Sequence, residues 1–442
     1  MIIPQQISDA GLVGAGGAGF PTHVKLSNPS EILVVNAAEC EPLLHKDKEI
    51  LRHFLPDVIL GLENAKKCIQ AEKVVIGLKE KYADLVAYVQ GQLPPGMDVA
   101  PLKDVYPSGD EFILVYETLG RVIPPGGLPS QVGAVVMNVE TAYNLGQAMR
   151  NIPVTEKFLT VAGAVEHPVT LRVPIGCTLA QCVAAAGGAN IENPVYLVGG
   201  PMMGYLEDSP QSACVTKTTG GIILLPQNHP LVVKMQRSWQ EISRIARSAC
   251  DQCSFCTELC PRNLLGHPIE PHKAMRSLLF ADALVPGTQF CSGCNLCSRY
   301  SCPEGLDPRN VCQANRRKWQ ESGEKWENPW FRKNRASLMM RNRQTPIPKL
   351  IQRLGLASYE NHGPLDWEKS DSFSVPAVEI AWKQHIGAPC RPLIKEGDWV
   401  ERGMKIGEPT GLGAAIHASI SGRVAKITEN CVRIEKDNQP KE

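Results

Sequence analysis

Eight of the sixteen cysteines lie in two runs of similar spacing near the middle of the chain. The runs read Cys250-x2-Cys253-x2-Cys256-x3-Cys260 and Cys291-x2-Cys294-x2-Cys297-x4-Cys302, and a proline follows each run. An iron–sulfur cubane needs four thiolates around one small volume, and three cysteines spaced by two residues fit one loop wrapped around it. The pattern therefore predicts two [4Fe–4S] clusters that carry electrons one at a time.

The fourth ligand of each cluster must come from elsewhere in the chain. In bacterial two-cluster ferredoxins, the last cysteine of each run ligates the other cluster. We therefore predict that the ligands of the first cluster are Cys250, Cys253, Cys256 and Cys302. The predicted ligands of the second cluster are Cys291, Cys294, Cys297 and Cys260. The second run has one residue more before its last cysteine, which lengthens one loop without removing a ligand. Cys312 lies outside both runs, and we do not count it as a ligand.

Two other uses of dense cysteines fit this chain less well. Zinc sites normally use two cysteine pairs rather than triplets followed by Cys-Pro. Disulfides at this density are typical of small secreted domains. This chain has 442 residues, and its first residues, MIIPQQISDAG, lack a basic region followed by an apolar core. We therefore expect a cytoplasmic protein with reduced thiols.

Composition argues against several classes of partner. A net charge of +1 and a near-neutral pI of about 7.5 give no sign of nucleic-acid binding. No apolar run approaches the ~18 residues that span a bilayer, so we do not expect an integral membrane protein. At ~100–200 residues per domain, a chain of 442 residues predicts about three domains.

A second candidate site is the glycine-rich stretch between Gly11 and Thr22. Dense glycines let the backbone approach a ligand and point its N–H groups at a phosphate. Gly14, Gly16 and Gly19 formally match a dinucleotide-binding motif. That motif should directly follow a strand, and the preceding residues predict none. The stretch therefore predicts either a phosphate-binding loop or a structural turn.

Further motifs follow this stretch in a fixed order. The set reads GAGGAGFPT, NAAECEP, YPSGDE, RVIPPGGLP and VMNVETA. NAAECEP comes at the end of a short buried strand predicted at residues 31–35, and ligands bind at such strand ends in open α/β sheets. The set resembles the flavin-binding domain of the respiratory complex I flavin subunit. It is more similar still to the C subunit of Rnf-type electron-transport complexes and to the cobalamin reductases of bacterial microcompartments.

The resemblance implies a non-covalent FMN over the glycine loop, with NADH stacking on the flavin from the open side. Backbone donors and a cation would hold the FMN phosphate and ribityl chain: Gly14, Gly16, Gly17 and Lys25. Neutral side chains would fix the isoalloxazine and ribityl groups: Asn36, Asn138 and Thr141. Glu39 and Glu41 would hold hydroxyls. Phe20 would stack on the nicotinamide nucleotide, and Gly109 and Glu111 would help close the site. Alternatively, Asn138 simply ends a strand and Thr141 caps the following helix.

The predicted fold class is an α/β multidomain chain. Residues 1–152 would form a Rossmann-like domain that binds FMN and NADH. Residues 153–237 predict strand, strand, helix and strand, which resembles a β-grasp (SLBB-type) domain. Residues 238–314 resemble a ferredoxin-like helical module with two [4Fe–4S] clusters. Residues 376–442 resemble a barrel-sandwich hybrid without the lysine that carries biotin or lipoate.

Residues 315–375 are rich in Arg and Lys and are interrupted by prolines. Such a segment is typical of a solvated linker, which is our prediction. The alternative is a docking surface for an acidic partner or for a substrate that carries phosphate.

The order of these units resembles the microcompartment cobalamin reductases along essentially the whole chain. The resemblance implies an NADH-dependent oxidoreductase that passes electrons through FMN and both clusters to a corrinoid, cobalamin. It also implies a location in a bacterial microcompartment, with a shell protein and a corrinoid adenosyltransferase as partners. Two alternatives stay open. One is an Rnf-type C subunit acting between NADH and ferredoxin, and the other is a non-enzymatic relay docked to a shell or partner protein.

Overall fold

The first unit of the computed structural model is organised around a parallel sheet. The structure describes residues 3–17, 19–279, 284–324 and 335–437. The strands of this unit are β1 (Ile32–Ala37), β2 (Lys73–Lys79), β3 (Met97–Leu102), β4 (Val105–Tyr106) and β5 (Ala134–Asn138). Its helices are α1 (Pro4–Asp9), α2 (Thr22–Lys25), α3 (Lys46–Cys68), α4 (Ala83–Gln92), α5 (Glu111–Leu119) and α6 (Val139–Ala148). The sheet order is β3-β2-β1-β5, with every pair parallel.

Helices α3 and α6 pack against each other through glycines. A Cβ added to Gly61 would lie 1.9 Å from the carbonyl oxygen of Ala142, and one added to Gly146 would lie 2.1 Å from the α3 backbone. The missing side chains therefore let the two helix backbones touch. Because α6 follows β5 directly, this contact fixes the strand ends where Asn36 is in register with Asn138.

The second unit is a mixed sheet with one helix packed on it. Its elements are β6 (Glu156–Gly163), β7 (Val169–Pro174), α7 (Leu179–Ala185), β8 (Val195–Val198), β9 (Tyr205–Glu207) and β10 (Gly221–Leu225), followed by α8 (Pro230–Met235). The sheet order is β7-β6-β10-β8-β9. Thr178 starts α7 with a capping box, in which the Thr178 hydroxyl accepts from the Gln181 N–H and the Gln181 side-chain oxygen accepts from the Thr178 N–H. The predicted order of strand, strand, helix and strand is confirmed.

The cysteine-rich unit is helical among its described residues. Its elements are α9 (Trp239–Ala249), α10 (Phe255–Glu258), α11 (Pro261–Leu264), α12 (Pro271–Ser277), a π-helical turn (Cys297–Ser301) and α13 (Pro308–Ser322). Helix α9 leads into the first cysteine run, and α12 lies between the two runs. No helix among the residues that the structure describes is long and apolar enough to cross a membrane.

The prediction of a solvated linker at residues 315–375 is wrong at both ends, because α13 extends to Ser322 and the second half is also folded. Strand β11 (Thr345–Pro346) pairs with β4, and it leads into α14 (Ile347–Arg353); α15 (Trp367–Ser372) follows. Apolar side chains of α14 and the residues after it are buried: Ile347, Leu350, Ile351, Leu354 and Leu356. Their spacing gives the helix an apolar face, and Lys349 and Arg353 are exposed on its other side. Residues 325–334 lie outside the described part of the chain.

The last unit is a compact pair of small antiparallel sheets. Its strands are β12 (Ala377–Ala381), β13 (Cys390–Pro392), β14 (Trp399–Val400), β15 (Lys405–Pro409), β16 (Ile416–His417), β17 (Gly422–Ile427) and β18 (Cys431–Glu435). The sheet orders are β12-β18-β17-β14 and β13-β15-β16. Their inner faces share one apolar core with the second unit.

This last unit also closes onto the start of the chain. The buried Lys217 ammonium donates to the carbonyl oxygens of Gly11 and Ala415, both at 2.7 Å. The Ile386 N–H donates to the Gly19 carbonyl at 3.1 Å. The glycine-rich loop is therefore held from behind by Lys217 of the second unit and by Ile386 of the C-terminal unit.

Candidate functional site

The glycine-rich stretch forms a closed loop between α1 and α2. The Gly14 N–H donates to the Phe20 carbonyl at 2.9 Å, and the Gly19 N–H donates to the Gly14 carbonyl at 3.1 Å. At the tip, Gly16 and Gly17 are exposed. Gly17 has a φ of 116°, and a Cβ added there would meet no atom of the described residues within 4 Å. The loop therefore presents an open backbone surface, as a phosphate cradle requires.

The predicted polar residues Asn36, Asn138 and Thr141 lie together at the ends of β1 and β5. The Asn36 side-chain amide donates to the Gly109 carbonyl at 2.7 Å. Asn138 caps α6 through its side-chain oxygen, which accepts from the Glu140 N–H at 2.9 Å. The Thr141 hydroxyl accepts from the Ala15 N–H at 3.0 Å. Asn138 thus ends β5, as the alternative predicted, but the predicted helix cap at Thr141 is wrong: Asn138 is the cap, and Thr141 lies inside α6 and holds the glycine loop.

Lys25, Gly109 and Glu111 close another side of this region. The Lys25 ammonium lies 3.0 Å from a Glu111 carboxylate oxygen and donates to the Val136 carbonyl at 2.8 Å. Gly109 follows the β4 turn, and its N–H points at the Cys40 sulfur at 3.4 Å. The structure therefore brings all three predicted residues to the end of the parallel sheet.

The two predicted acidic residues have different surroundings. Glu39 accepts from the Asp47 N–H at 3.1 Å, and burial together with the nearby Asp47 charge raises the pKa of Glu39 to about 8. The Glu41 carboxylate instead accepts from the N–H groups of Met202 and Met203 at 2.8 and 2.9 Å. Burial raises the pKa of Glu41 to about 7. Glu41 thus joins the first unit to the loop after β8.

A group of buried charges beneath the glycine loop was not predicted as a site. The Glu140 carboxylate lies 3.1 Å from the Lys46 ammonium and 2.5 Å from the Lys157 ammonium. Lys46 also pairs with Asp47, whose other oxygen accepts from the Asn138 amide at 2.9 Å. Lys46, Asp47 and Glu140 lie inside or beside the recognised motifs, so proximity in sequence was a usable signal. Lys157 belongs to a strand of the next unit, and no local pattern marks it.

Three cysteines of the first run lie close to the last cysteine of the second. Cys253 is exposed, Cys250 is half-buried, and Cys256 and Cys302 are buried. Burial and repulsion from the Cys302, Cys253 and Cys250 thiolates raise the pKa of Cys256 to about 12. Thiols that disfavour one another's ionisation become a ligand set only around a multivalent cation. The set therefore fits an iron–sulfur cluster.

The second cysteine set is more deeply buried. A small cavity is lined by sulfur-bearing residues of both runs and of α13: Cys260, Cys291, Cys294, Cys297 and Cys312. Burial and the nearby Cys260 and Cys291 thiolates raise the pKa of Cys294 to about 12. Cys312, which was not counted as a ligand, hydrogen-bonds to Cys291 and lowers the pKa of that thiol. The cavity therefore contains the predicted four cysteines and one more.

One loop of the first unit connects the two candidate sites. The Tyr106 hydroxyl donates to the Cys294 carbonyl at 2.7 Å. The Arg262 guanidinium binds the Asp110 carboxylate through two hydrogen bonds, at 2.5 and 3.0 Å, and lies 3.9 Å from the centre of the Phe112 ring. Gly109, between these contacts, carries the carbonyl that accepts from Asn36. The second cysteine set is therefore adjacent to the glycine-loop site.

Comparison with known proteins identifies the family of the chain. It is 40% identical over 439 residues to the cobalamin reductase PduS of Salmonella typhimurium, a match covering 98% of this chain and 96% of that protein. The chain belongs to the PduS cobalamin reductase family. A second relative, PduS of Citrobacter freundii, is 38% identical with the same coverage. The C subunit of the Na(+)-translocating ferredoxin:NAD(+) oxidoreductase complex of Acetobacterium woodii is 34% identical over 59% of this chain and 58% of its own length.

Family models match each unit of this PduS-family chain. Residues 7–147 match the Nuo51 FMN-binding domain, and residues 158–206 match the SLBB domain. Residues 249–307 match a 4Fe-4S dicluster domain, and residues 372–439 match the RnfC barrel sandwich hybrid domain. The predicted fold class is confirmed, as are FMN and [4Fe–4S] clusters as cofactors.

The geometry of the PduS-family chain fits these cofactors. Within the described residues, the N–H groups of Gly16 and Gly17 have no acceptor, and Lys25 supplies a half-exposed cation nearby. Backbone donors and a cation are what a flavin phosphate needs. The two groups of converging cysteines likewise supply the thiolates that two cubanes need.

Proposed function

We propose that this chain is an NADH-dependent cobalamin reductase that passes electrons through FMN and two [4Fe–4S] clusters to a corrinoid. One observation supports this wiring above all others: the segment from Tyr106 to Phe112 contacts both candidate sites. At one end Tyr106 binds the backbone of Cys294, and at the other Lys25 pairs with Glu111. Electrons therefore have a short protein route from the flavin to the second cysteine set.

The exposure of the cysteines supports a direction of flow. The second set is buried next to the flavin-side loop, whereas Cys253 of the first set is exposed. We assign the second cluster to Cys291, Cys294, Cys297 and Cys260, and the first to Cys250, Cys253, Cys256 and Cys302. In this order Cys291, Cys294, Cys297 and Cys260 would hold the cluster nearer the flavin, and the other set would hold the cluster nearer the surface.

The residues that we assign to the flavin site would bind the cofactor and the nucleotide and orient them. The Gly16 and Gly17 amides with Lys25 would hold the phosphate, Gly14 would keep the loop closed, and Phe20 would stack on the nicotinamide nucleotide. The other assigned residues would shape the ring and ribityl site: Asn36, Glu39, Glu41, Gly109, Glu111, Asn138 and Thr141. FMN, when bound, accepts two electrons as a hydride and releases them singly.

The electron count requires two acceptor molecules for each NADH when each takes one electron. NADH leaves as NAD+ with release of a proton, and two cob(III)alamin molecules become two cob(II)alamin molecules. The corrinoid as acceptor is proposed because both full-length relatives are named cobalamin reductases. Location in a bacterial microcompartment, a shell-protein partner and a corrinoid adenosyltransferase partner are proposed on the same relationship.

An anaerobic NADH titration of the cluster-loaded protein tests this function. NADH should bleach the flavin and iron–sulfur absorbance together, and cob(III)alamin added next should reoxidise both. Dithionite serves as the control reductant that reaches the clusters without NADH. If NADH leaves the flavin oxidised while dithionite reduces the clusters, the proposed donor is wrong. If reduced protein transfers electrons to ferredoxin but not to cobalamin, the proposed acceptor is wrong.

A further inference from the structure

We propose that Lys157, contributed by the second unit, is a positioning residue that turns the Ala15–Gly16 peptide so that the Gly16 N–H faces the flavin phosphate. This inference rests on the proposed FMN site and extends it to a residue outside the FMN-binding domain match, which ends at residue 147.

Ala15 is anchored through both of its backbone polar groups. Its carbonyl accepts from the Lys157 ammonium at 3.1 Å, and its N–H donates to the Thr141 hydroxyl at 3.0 Å. Ala15 is 2% exposed and Lys157 is 1% exposed. A buried charge-assisted hydrogen bond is stronger than one in water, so the carbonyl has one well-defined direction.

The direction of the Ala15 carbonyl determines that of the next amide. In a planar trans peptide, the C=O of one residue and the N–H of the next point in opposite directions. With the Ala15 carbonyl directed inward to Lys157, the Gly16 N–H is directed outward. Gly16 and Gly17 are both exposed, and their N–H groups have no acceptor among the described residues. Lys157 thus aims a free donor at the open side of the loop.

The charges around Lys157 keep its ammonium in place. Its other partner is Glu140, at 2.5 Å, and Glu140 also pairs with Lys46 at 3.1 Å. Burial would raise the pKa of Glu140, but Lys157 and Lys46 hold it below its usual value. Asp47 links Lys46 to the Asn138 amide. The ammonium is therefore fixed by carboxylate and carbonyl together, and it places a positive charge directly behind the phosphate cradle.

The test is the affinity of the protein for FMN in the variant Lys157→Met, measured by flavin fluorescence on cluster-loaded protein stripped of flavin. We expect the Kd for FMN to rise by about tenfold or more, as the loss of one charge-assisted interaction implies. Lys157→Arg keeps the charge and should recover part of the affinity. The KM for NADH of FMN-saturated enzyme should change little, because Lys157 lies behind the loop.

Lys79→Met is the matched control. Lys79 is 3% exposed and pairs with Asp104 at 3.0 Å, so its loss removes a buried ion pair without removing a hydrogen bond to the glycine loop. The proposal is overturned if both variants lose thermal stability but bind FMN equally well. It is also overturned if Lys157→Arg binds FMN no better than Lys157→Met. If Lys157→Met does not accumulate as folded protein, Lys157→Gln, which keeps a neutral donor, takes its place in the same comparison.

Failure of this inference differs from failure of the proposed function. If the proposed function is wrong, the wild-type protein does not bind FMN or is not reduced by NADH. If only the role of Lys157 is wrong, the wild-type protein does both, and Lys157→Met keeps the wild-type Kd for FMN.

Discussion

At the scale of single residues, the two cysteine sets differ from the two runs in the sequence. Cys302 ends the second run but lies with the first triplet, and Cys260 ends the first run but lies with the second. In the proposed ligand sets each cluster would depend on both runs, so changing one terminal cysteine should damage the cluster of the other triplet. The arrangement also ties the two loops together once the clusters are in place.

We predict that Cys302→Ser and Cys260→Ser each lose about half of the bound iron, because each removes one ligand from one of two cubanes. In Cys260→Ser the buried cluster next to Tyr106 should be lost, so NADH should still bleach the flavin but no longer reduce the remaining cluster. In Cys302→Ser the surviving cluster should still be reduced by NADH. Iron analysis and EPR after NADH and after dithionite provide the measurements.

The variant Cys312→Ser tests whether Cys260 is the fourth ligand of the second cluster. The Cys312 thiol lies in the same cavity as Cys260 and hydrogen-bonds to Cys291. We expect Cys312→Ser to retain the full iron content. If Cys312→Ser loses iron while Cys260→Ser keeps its full iron content, then Cys312 rather than Cys260 is the fourth ligand of the second cluster. Cys177→Ser, in the second unit, controls for loss of a buried thiol.

The raised pKa of Glu39 predicts that the stability of the protein depends on pH. Burial and the Asp47 charge raise its pKa to about 8 in the folded protein, from a usual value of 4.5. Between these pH values the folded state holds a proton that the unfolded state has released, so the free energy of unfolding falls as the pH rises. Glu39→Gln should make this fall shallower in anaerobic thermal melts from pH 5 to pH 8. The exposed Glu72→Gln should not, and equal slopes in Glu39→Gln and wild type would contradict the assignment.

At the scale of elements, the contact between α3 and α6 requires glycine. A Cβ at position 61 would lie 1.9 Å from the Ala142 carbonyl, so the helices must separate to accept it. We predict that Gly61→Ala lowers the free energy of unfolding by about 1–3 kcal/mol or more. Gly91→Ala in α4 meets nothing within 4 Å, and it should instead stabilise by about 0.5–1 kcal/mol. Chemical denaturation should show opposite signs, and equal effects would exclude a packing cause.

Local patterns in the sequence were sufficient for most elements but not for contacts between them. The spacing of the cysteines and the glycine loop predicted which residues converge, because each group lies on one or two short loops. Lys157 could not be found in this way, since its partners Ala15 and Glu140 come from a different unit. A short amphipathic helix at residues 349–354 is predictable from its spacing, but its burial against other units is not, because its partners lie far away in the sequence. The domain boundaries and the individual ligand roles stay predictions.

At the scale of the whole molecule, all three later units act on the first. Lys217 of the second unit and Ile386 of the C-terminal unit hold the glycine loop, while the cysteine-rich unit holds the loop from Tyr106 to Phe112. The flavin site therefore forms where several units meet, rather than within the parallel sheet alone. Electron transfer should depend on these contacts separately from NADH oxidation.

The ion pair between Arg262 and Asp110 allows a direct test of whether electron transfer to the clusters can be lost separately from NADH oxidation. Arg262 is 7% exposed, and breaking such a buried pair costs about 3–5 kcal/mol because the partner charge stays buried. We predict that Arg262→Gln lowers stability by this amount and loosens the junction between flavin and second cluster. Its oxidation of NADH with ferricyanide, which takes electrons directly from the flavin, should remain near the wild-type rate. Its reduction of cob(III)alamin should fall.

Arg433→Gln provides the control, because it removes an exposed ion pair with Glu379 far along the chain in the last unit. Exposed pairs contribute about 0–1 kcal/mol, so both activities and the stability should stay close to wild type. A parallel fall of both activities in Arg262→Gln would mean that the pair supports the flavin site itself. Unchanged activities despite lower stability would mean that electrons reach the clusters by another contact. Only a selective loss of cobalamin reduction fits a route through the Tyr106–Phe112 loop.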